Sequence, residues 1–195
     1  RRVFEYWAHA AAYLPMSDYR YYLRKMRQAH DSSRRVQWMK ENPGVAEHVL
    51  ERIRAEGGLA ASEFQDLRGK RGPWWDWKPA KMALEALFNT GELMISERRS
   101  FQRVYDLRER VLPADVDTTE PESGERARWA VRRTLDNLGV ADLSQMRIWH
   151  RDDGDMKAAI EDLVDAGEIV PVRIRGEADG PAFYSRPDLL RATAR

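Results

Sequence analysis

One amphipathic motif occurs twice in this chain, and this repeat constrains the fold more than any other feature of the sequence. The first copy, KMALEALFNTGEL, runs from Lys81 to Leu93, and the second, KAAIEDLVDAGEI, runs from Lys157 to Ile169. In both copies apolar residues recur at the three- and four-residue spacing of a helix that buries one face, and a glycine typical of a helix end follows. The repeat predicts two tandem copies of one structural unit.

Each copy of the motif stands between an upstream helical pattern and a downstream pair of strand-like segments. In the first unit the predicted helices cover 42–57 and 77–90, and the strands cover 93–95 and 103–107. In the second unit an upstream helix covers 129–139, and a slightly longer hairpin ends near Tyr184. Helices followed by a hairpin are typical of a winged helix-turn-helix. We therefore predict a mainly α protein with small β-hairpins (α+β), built from tandem winged helix-turn-helix units.

The positions of these units give the predicted domain boundaries. We expect an N-terminal helical segment over 1–41 that belongs to an upstream domain, a first winged-helix unit over 42–113 and a second over 126–195. Residues 114–125 are acidic and contain proline, threonine and serine, which predicts a linker. The chain starts Arg1-Arg2-Val3 without a methionine, so we expect it to be a piece of a longer protein.

Composition excludes several classes of function. There is no cysteine among the 195 residues, which excludes a disulfide framework and a thiolate metal site. The four histidines lack the paired spacing of a zinc site, and no phosphate-binding loop or nucleophile elbow is present. No apolar run is long enough to cross a membrane. We therefore expect no metal, no cofactor and no membrane partner.

Basic residues are concentrated in the first unit, although the formal net charge of the whole chain is only +1. From Arg68 to Arg103 there are eight basic residues and four acidic ones. Because each neutralised phosphate releases counterions, such a cluster favours salt-sensitive binding to nucleic acid. The N-terminus of a helix also favours anions. We predict contacts to double-stranded DNA from Lys78, Lys81, Arg98, Arg99 and Arg103.

Three tryptophans, at positions 74, 75 and 77, precede the first repeated helix. Tryptophan is rarely left exposed, so packing accounts for at least two of them, whereas Trp75 or Trp77 could stack on a base or against a sugar. The repeated helix of the second unit is acidic, and only its hairpin residues Arg173 and Arg175 are predicted to contact DNA. The alternative interpretation of all these charges is a solvated surface on winged helices that bind protein.

Two further groups could form small sites. Tyr6 and His9 lie close together in an aromatic segment and could share a polar pocket, although a structural role is the simpler interpretation. Asp152, Asp153 and Asp155 surround Gly154, but the ligand series of a calcium loop does not follow them. That acidic group therefore predicts a capped turn.

Two stretches resemble a known family. FEYWAHAAAYLPMSDY at 4–19 and GPWWDWKPAKMALEALFNTGELMISERRSFQRVYDLRERVLP at 72–113 are similar to the winged-helix DNA glycosylases of the AlkZ/YcaQ type. The resemblance implies tandem winged helices that form a concave DNA-binding surface, with a small β-barrel after them. It also implies hydrolysis of the N-glycosidic bond of bulky alkylated or crosslinked purines, without a metal.

The catalytic element of that family is a Q-x-D or Q-x-Q motif upstream of the FEYWAH segment. No glutamine of this chain begins such a motif, and Ala10 stands where the family often has an acidic residue. By resemblance we expect a central fragment, monomeric and cytoplasmic at the nucleoid, that binds alkylated or crosslinked DNA and contains no catalytic residue. The alternatives are a winged-helix transcription regulator without enzymatic activity, and a scaffold whose winged helices bind protein.

Overall fold

The computed structural model of the protein describes residues 2–64, 78–150, 154–173 and 181–193. The chain divides into two compact units, Arg1–Glu120 and Pro121–Arg195. Both units combine helices with small antiparallel sheets, two in the first unit and one in the second, so the fold is of the predicted α+β class. Among the helices of the described ranges, none is both long and apolar enough to cross a membrane.

The first unit begins with a β-hairpin, where the sequence predicted a helical segment over 1–41. Strands β1 (Val3–Trp7) and β2 (Ala11–Pro15) are antiparallel, with Tyr6 opposite Ala12. Three consecutive residues of β1 are buried, Phe4, Glu5 and Tyr6, so both faces of the strand are covered. A strand buried on both faces lacks the alternation of apolar and polar residues that identifies a strand in a sequence.

Three helices follow the hairpin: α1 (Tyr19–Ser32), α2 (Arg34–Glu41) and α3 (Pro43–Glu56). Helix α1 buries Tyr19, Tyr22 and Met26, and the rings of Tyr19 and Tyr22 pack edge-on against Phe4 of β1. Helix α3 starts with a proline in its first turn, where no backbone donor is lost. Its end at Gly57 agrees with the prediction.

The repeated motif of the first unit forms helix α4 (Pro79–Asn89) and the start of strand β4 (Leu93–Arg99). Strand β5 (Gln102–Leu107) pairs with β4 on one side and with the short strand β3 (Leu59–Ala60) on the other, and helix α5 (Arg108–Val111) follows. Helix α4 contacts α2, α3 and β4. Seven of its eleven residues are buried: Ala80, Ala83, Leu84, Glu85, Ala86, Leu87 and Phe88.

The second unit repeats this order of elements. Helix α6 (Ser123–Leu138) is followed by strand β6 (Val140–Asp142), helices α7 (Leu143–His150) and α8 (Met156–Asp165), and strands β7 (Val170–Val172) and β8 (Phe183–Ser185). Helix α9 (Pro187–Thr193) completes the unit. In both three-stranded sheets the first strand pairs with the third, and the third pairs with the second.

The acidic group near Gly154 is a helix cap, as far as the structure describes it. The carboxylate of Asp155 accepts hydrogen bonds from the backbone N–H groups of Lys157 and Ala158 at the start of α8. This arrangement satisfies two donors that a helix start leaves unpaired. The predicted capped turn is therefore confirmed at Asp155, while Asp152 and Asp153 lie outside the described residues.

Candidate nucleic-acid interface

Strands β4 and β5 form a hairpin, called here the first hairpin, whose turn consists of Ser100 and Phe101. Arg99 pairs with Gln102 beside this turn, and a bulge lies between Ile95 and Glu97. Both turn residues have positive φ, 47° for Ser100 and 65° for Phe101. Two positive φ angles match the right-handed twist of a hairpin, but glycine or asparagine usually supplies them. The turn therefore holds an aromatic residue in a backbone conformation that bulky residues rarely adopt.

The turn end of the first hairpin is tied to β1 by a buried carboxylate. The side chain of Glu5 is 3% exposed. It accepts hydrogen bonds from Nη2 of Arg98 at 2.8 Å and from Nε of Arg98 at 3.1 Å, and a third from Nε of Arg103 at 2.6 Å. Bonds between a guanidinium and a carboxylate are short and strong because both partners are charged. The hydrogen bond to Glu5 raises the pKa of Arg98.

A second buried carboxylate continues this network into α4. Glu85 accepts hydrogen bonds from Nη1 of Arg103 at 3.1 Å and from the hydroxyl of Tyr105 at 2.9 Å. Burial raises the pKa of Tyr105, and the negative charge of Glu85 raises it further, so the phenol stays protonated as a donor. The network joins β1, α4, β4 and β5.

This network places Arg103 inside the unit, away from the solvent-facing position that the sequence suggested. Its side chain is only 15% exposed, and its guanidinium lies over the ring of Phe88 at 5.2 Å and near that of Trp7 at 5.5 Å. A charge held by two carboxylates and two rings would lose all four partners on turning to a phosphate. Arg103 thus stabilises the hairpin, and Arg98 divides its donors between Glu5 and the hairpin turn.

Arg99 has the opposite environment. Its side chain is 53% exposed and pairs with two exposed carboxylates, Glu97 at 2.7 Å and Glu63 at 3.6 Å. Exposed ion pairs contribute about 0–1 kcal/mol, so they exchange readily for another anion. Of the three predicted hairpin arginines, Arg99 is the one best placed to contact a phosphate.

Arg99 and Lys78 both contact the turn formed by residues 61–64. The Nζ atom of Lys78 lies 3.4 Å from the carbonyl oxygen of Phe64, and Arg99 contacts the neighbouring Glu63. Arg52 of α3 also contacts this turn, because it donates to the carbonyl of Glu63 at 2.9 Å and lies over the ring of Phe64 at 4.7 Å. We call Arg52, Lys78 and Arg99 the basic surface.

The sequence did not single out Arg52 as a site residue. The only signal for it is its position on α3, one turn before Glu56, with which it forms an exposed ion pair. That pair raises the pKa of Arg52 and lowers that of Glu56. Lys81 lies in the first turn of α4, three residues after Lys78, which is the N-cap residue of that helix.

Several predicted contacts fall elsewhere. Trp75 and Trp77 lie outside the described residues, as does Arg175. Arg173 is exposed directly after β7 of the second unit, where the sequence placed it.

The structure does not bring Tyr6 and His9 into a shared pocket. Tyr6 is buried, its ring packs against Phe88, and its hydroxyl donates to the backbone carbonyl of Asn89 at 2.5 Å. His9 lies in the exposed turn between β1 and β2. The turn carries the histidine beyond the buried part of the strand, so the predicted polar pocket is not formed.

Across the described ranges, no cluster of three or more candidate ligands could hold a metal ion.

Comparison with known proteins adds two findings. The sequence model of a family described as DNA glycosylase AlkZ-like matches residues 1–195. Among solved structures, the chain resembles the Streptomyces sahachiroi DNA glycosylase AlkZ, with a TM-score of 0.57 and 16% sequence identity. This match covers 99% of the chain and 54% of the other protein, so the chain spans about half the length of that structure. At this identity the likeness shows a common fold.

Proposed function

The chain belongs to the AlkZ-like DNA glycosylase family, and from this premise we propose that it is the DNA-binding part of a DNA-repair glycosylase. The substrate class is DNA with bulky alkylated or crosslinked purines, whose N-glycosidic bond the whole enzyme hydrolyses. In this proposal the catalytic Q-x-D or Q-x-Q motif lies upstream of β1, and the present chain holds the DNA without cutting it. It acts as a monomer. Its DNA substrate places it in the cytoplasm, at the nucleoid.

The proposal includes two tandem winged helix-turn-helix units, over 42–113 and 126–195, joined by the acidic segment 114–125. The shared order of elements supports this assignment, since each unit has an upstream helix, a short strand, the repeated helix and two further strands. The shared strand order of the two three-stranded sheets supports it as well. In a winged helix the hairpin is the element that lies beside the repeated helix and contacts nucleic acid.

The observation that carries the proposal is the grouping of Arg52, Lys78 and Arg99 around the turn at 61–64. Three carboxylates, Glu56, Glu63 and Glu97, match the three positive charges of this basic surface, so the formal charge of the whole group is zero. The ion pairs at this surface must exchange for contacts to phosphates, so we expect weak binding that falls as salt is added.

The burial of α4 favours binding to the DNA backbone over the reading of a base sequence. A helix that reads the major groove must present a row of exposed side chains to the base edges. Most of α4 is buried, and its buried positions include Glu85, which is bonded to Arg103 and Tyr105. This geometry argues against the alternative function of an operator-specific transcription regulator.

Fluorescence anisotropy with undamaged and alkylated duplexes, at several salt concentrations, tests the proposal. We expect Arg99→Ala to weaken binding to all duplexes alike and to reduce the dependence of log K on log salt by about one ion. Arg132→Ala is the matched control: Arg132 lies on α6 of the second unit, is similarly exposed and also pairs with an exposed carboxylate, Glu168. The control should bind like the unchanged chain.

Two results would contradict the proposal. Strong preference of the chain for one undamaged base sequence would favour the regulator. Release of a free alkylated base by the 195-residue chain alone would contradict the placement of catalysis upstream of β1.

A further inference from the structure

Phe101 combines two features that the packing of the unit does not require. Its side chain is 92% exposed, so it contributes almost nothing to the core. Its φ of 65° lies in the left-handed region, which is strained for a bulky residue. Ser100, the residue before it, also has a positive φ, of 47°. Glycine would form this turn without strain. Strain of this kind is typical of functional positions that the surrounding structure holds in place.

The surrounding structure does hold this turn. Nη1 of Arg98 donates to the carbonyl oxygen of Phe101 at 2.7 Å, while Nη2 and Nε of the same guanidinium are bound to Glu5. Glu5 is buried and also bound to Arg103. A planar guanidinium thus connects a fixed carboxylate on β1 to the peptide that carries the exposed ring. The turn is ordered before any partner arrives, which lowers the entropic cost of using the ring in binding.

The groups beside Phe101 are suited to a polyanion. Arg99 is exposed, and its ion-pair partners among the described residues, Glu63 and Glu97, are themselves exposed. On the other side of the turn, the amide oxygen of Gln102 accepts a hydrogen bond from the hydroxyl of Ser62. A single apolar side chain with a cation and an amide at its base does not form the extended apolar patch of a protein interface. It does match a wedge that enters stacked bases while a cation holds the neighbouring phosphate.

We propose that Phe101 is a wedge that inserts between adjacent bases of duplex DNA and unstacks them, and that Arg98 and Glu5 are positioning residues for it. This inference rests on the proposed function, because it requires that the first hairpin contacts DNA. It goes beyond that function in naming the residue that distorts the duplex. Unstacking a base costs least where the duplex is already damaged, so the wedge would favour lesion-bearing DNA without reading its sequence.

The test uses the 195-residue chain and short undamaged duplexes that contain 2-aminopurine, whose fluorescence rises when it leaves the stack. The unchanged chain should raise the fluorescence at saturating protein. Phe101→Ala should abolish that rise and weaken binding by about five- to a hundred-fold, the usual effect of losing one base–aromatic contact. Phe101→Gly removes the ring and also the backbone strain, and it should behave in the same way in both assays.

Three further variants distinguish insertion of the Phe101 ring from the effects of surface charge, of apolar exposure and of the positioning of the turn. Leu138→Ala removes another exposed apolar side chain, in the second unit, and should change neither readout. Arg99→Ala should reduce the salt dependence of binding but keep the fluorescence rise at saturation. Arg98→Lys keeps the charge and loses the bidentate contact to Glu5, so it should reduce the fluorescence rise several-fold while leaving the salt dependence unchanged.

Unchanged fluorescence and affinity in both Phe101 variants would overturn the wedge and leave the proposed function standing, provided that Arg99→Ala still lowers the salt dependence. Failure of the unchanged chain to bind any duplex at low salt would overturn the proposed function and the wedge together. Binding by the unchanged chain without any rise in fluorescence, at every position of the probe, would overturn the wedge alone.

Discussion

Glu5 lies on β1 with its carboxylate bonded to Arg98 and Arg103, which come from the two strands of the first hairpin. Burying an ion pair costs desolvation, and breaking one by removal of a single partner leaves an uncompensated charge behind. Because Arg103 is also held by Glu85, loss of Glu5 would disturb the packing of α4 and of both hairpin strands.

We predict that Glu5→Gln lowers the free energy of unfolding by about 3 kcal/mol, near the lower end for a buried pair because Arg98 keeps some access to water. Urea denaturation followed by circular dichroism measures this change. Glu97→Gln is the matched control, since Glu97 pairs with Arg99 at the surface. The control should lose less than about 1 kcal/mol. Equal losses in the two variants would show that the burial of Glu5 adds nothing.

At the scale of single elements, the two copies of the repeated motif differ in what surrounds their closing glycines. Gly91 and Gly167 have similar positive φ angles, 77° and 69°. A Cβ atom at Gly91 would lie 2.6 Å from Sδ of Met26 in α1, whereas a Cβ at Gly167 would meet nothing within 4 Å. The first glycine is therefore needed for its conformation and for close packing, and the second for its conformation alone.

We predict that Gly167→Ala costs about 1–2 kcal/mol, the usual penalty of an L-residue in the left-handed region. Gly91→Ala should cost more than about 2 kcal/mol, because Met26 must also move in a packed core. Denaturation midpoints of the two variants, measured under the same conditions, test the difference. Equal costs would mean that Met26 rearranges freely.

Helix α7 provides a second prediction at this scale. The carboxylate of Asp142 accepts a hydrogen bond from the backbone N–H of Gln145 at 2.7 Å, and the side-chain oxygen of Gln145 accepts one from the backbone N–H of Asp142 at 3.0 Å. This is a reciprocal helix cap. The backbone hydrogen bond from Gln145 holds the pKa of Asp142 below its ordinary value, and the hydroxyl of Ser144 also lowers it.

We predict that Asp142→Ala costs about 1 kcal/mol at neutral pH, a typical value for the loss of a cap. Because the pKa is lower in the folded state, the contribution of Asp142 is complete above the ordinary aspartate pKa of about 3.9 and is lost as the pH falls through the folded value. The stability difference between the unchanged chain and the variant should therefore shrink below about pH 4. A difference that persists at low pH would contradict the role of the carboxylate. Urea midpoints at neutral and acidic pH measure it.

At the scale of the whole molecule, 33 basic and 32 acidic residues nearly balance, but the opposite charges are locally segregated. The acidic segment after α5 pairs with basic residues of α1: Asp117 contacts Arg20 at 3.2 Å, and Glu120 contacts Arg27 at 2.5 Å. These pairs are at least partly exposed, so they contribute little to stability. They do reduce the positive potential that a polyanion would meet on this unit.

We predict that the double change Asp117→Asn and Glu120→Gln alters stability by less than about 1 kcal/mol but strengthens binding to undamaged duplexes at low salt. The gain should vanish as salt is raised, because screening removes interactions between exposed charges. Asp162→Asn with Glu168→Gln is the charge-matched control in the second unit, where these carboxylates pair with Arg128 and Arg132. Equal gains from both double changes would indicate an effect of total charge rather than of the α1 surface.

The sequence by itself determined the features that depend on spacing within a few residues. Helices α4 and α8, their closing glycines and the cap at Asp155 were all predicted, because a helix turn brings together residues three and four positions apart. The family was identifiable for a similar reason, since the stretches at 4–19 and 72–113 are continuous in the chain.

Tertiary structure alone decided which charged residues face water. Arg98 and Arg103 bind Glu5 across separations of 93 and 98 residues, and no local pattern records a partner at such a distance. The hairpin of β1 and β2 was not predicted either, because β1 is buried on both faces and lacks the alternating pattern of a strand. Nor did a local pattern indicate that Arg52, Lys78 and Arg99 contact the same turn. In the sequence nothing distinguishes the three arginines of the first hairpin, Arg98, Arg99 and Arg103. The buried carboxylate of Glu5 leaves Arg99 as the most solvent-exposed of them.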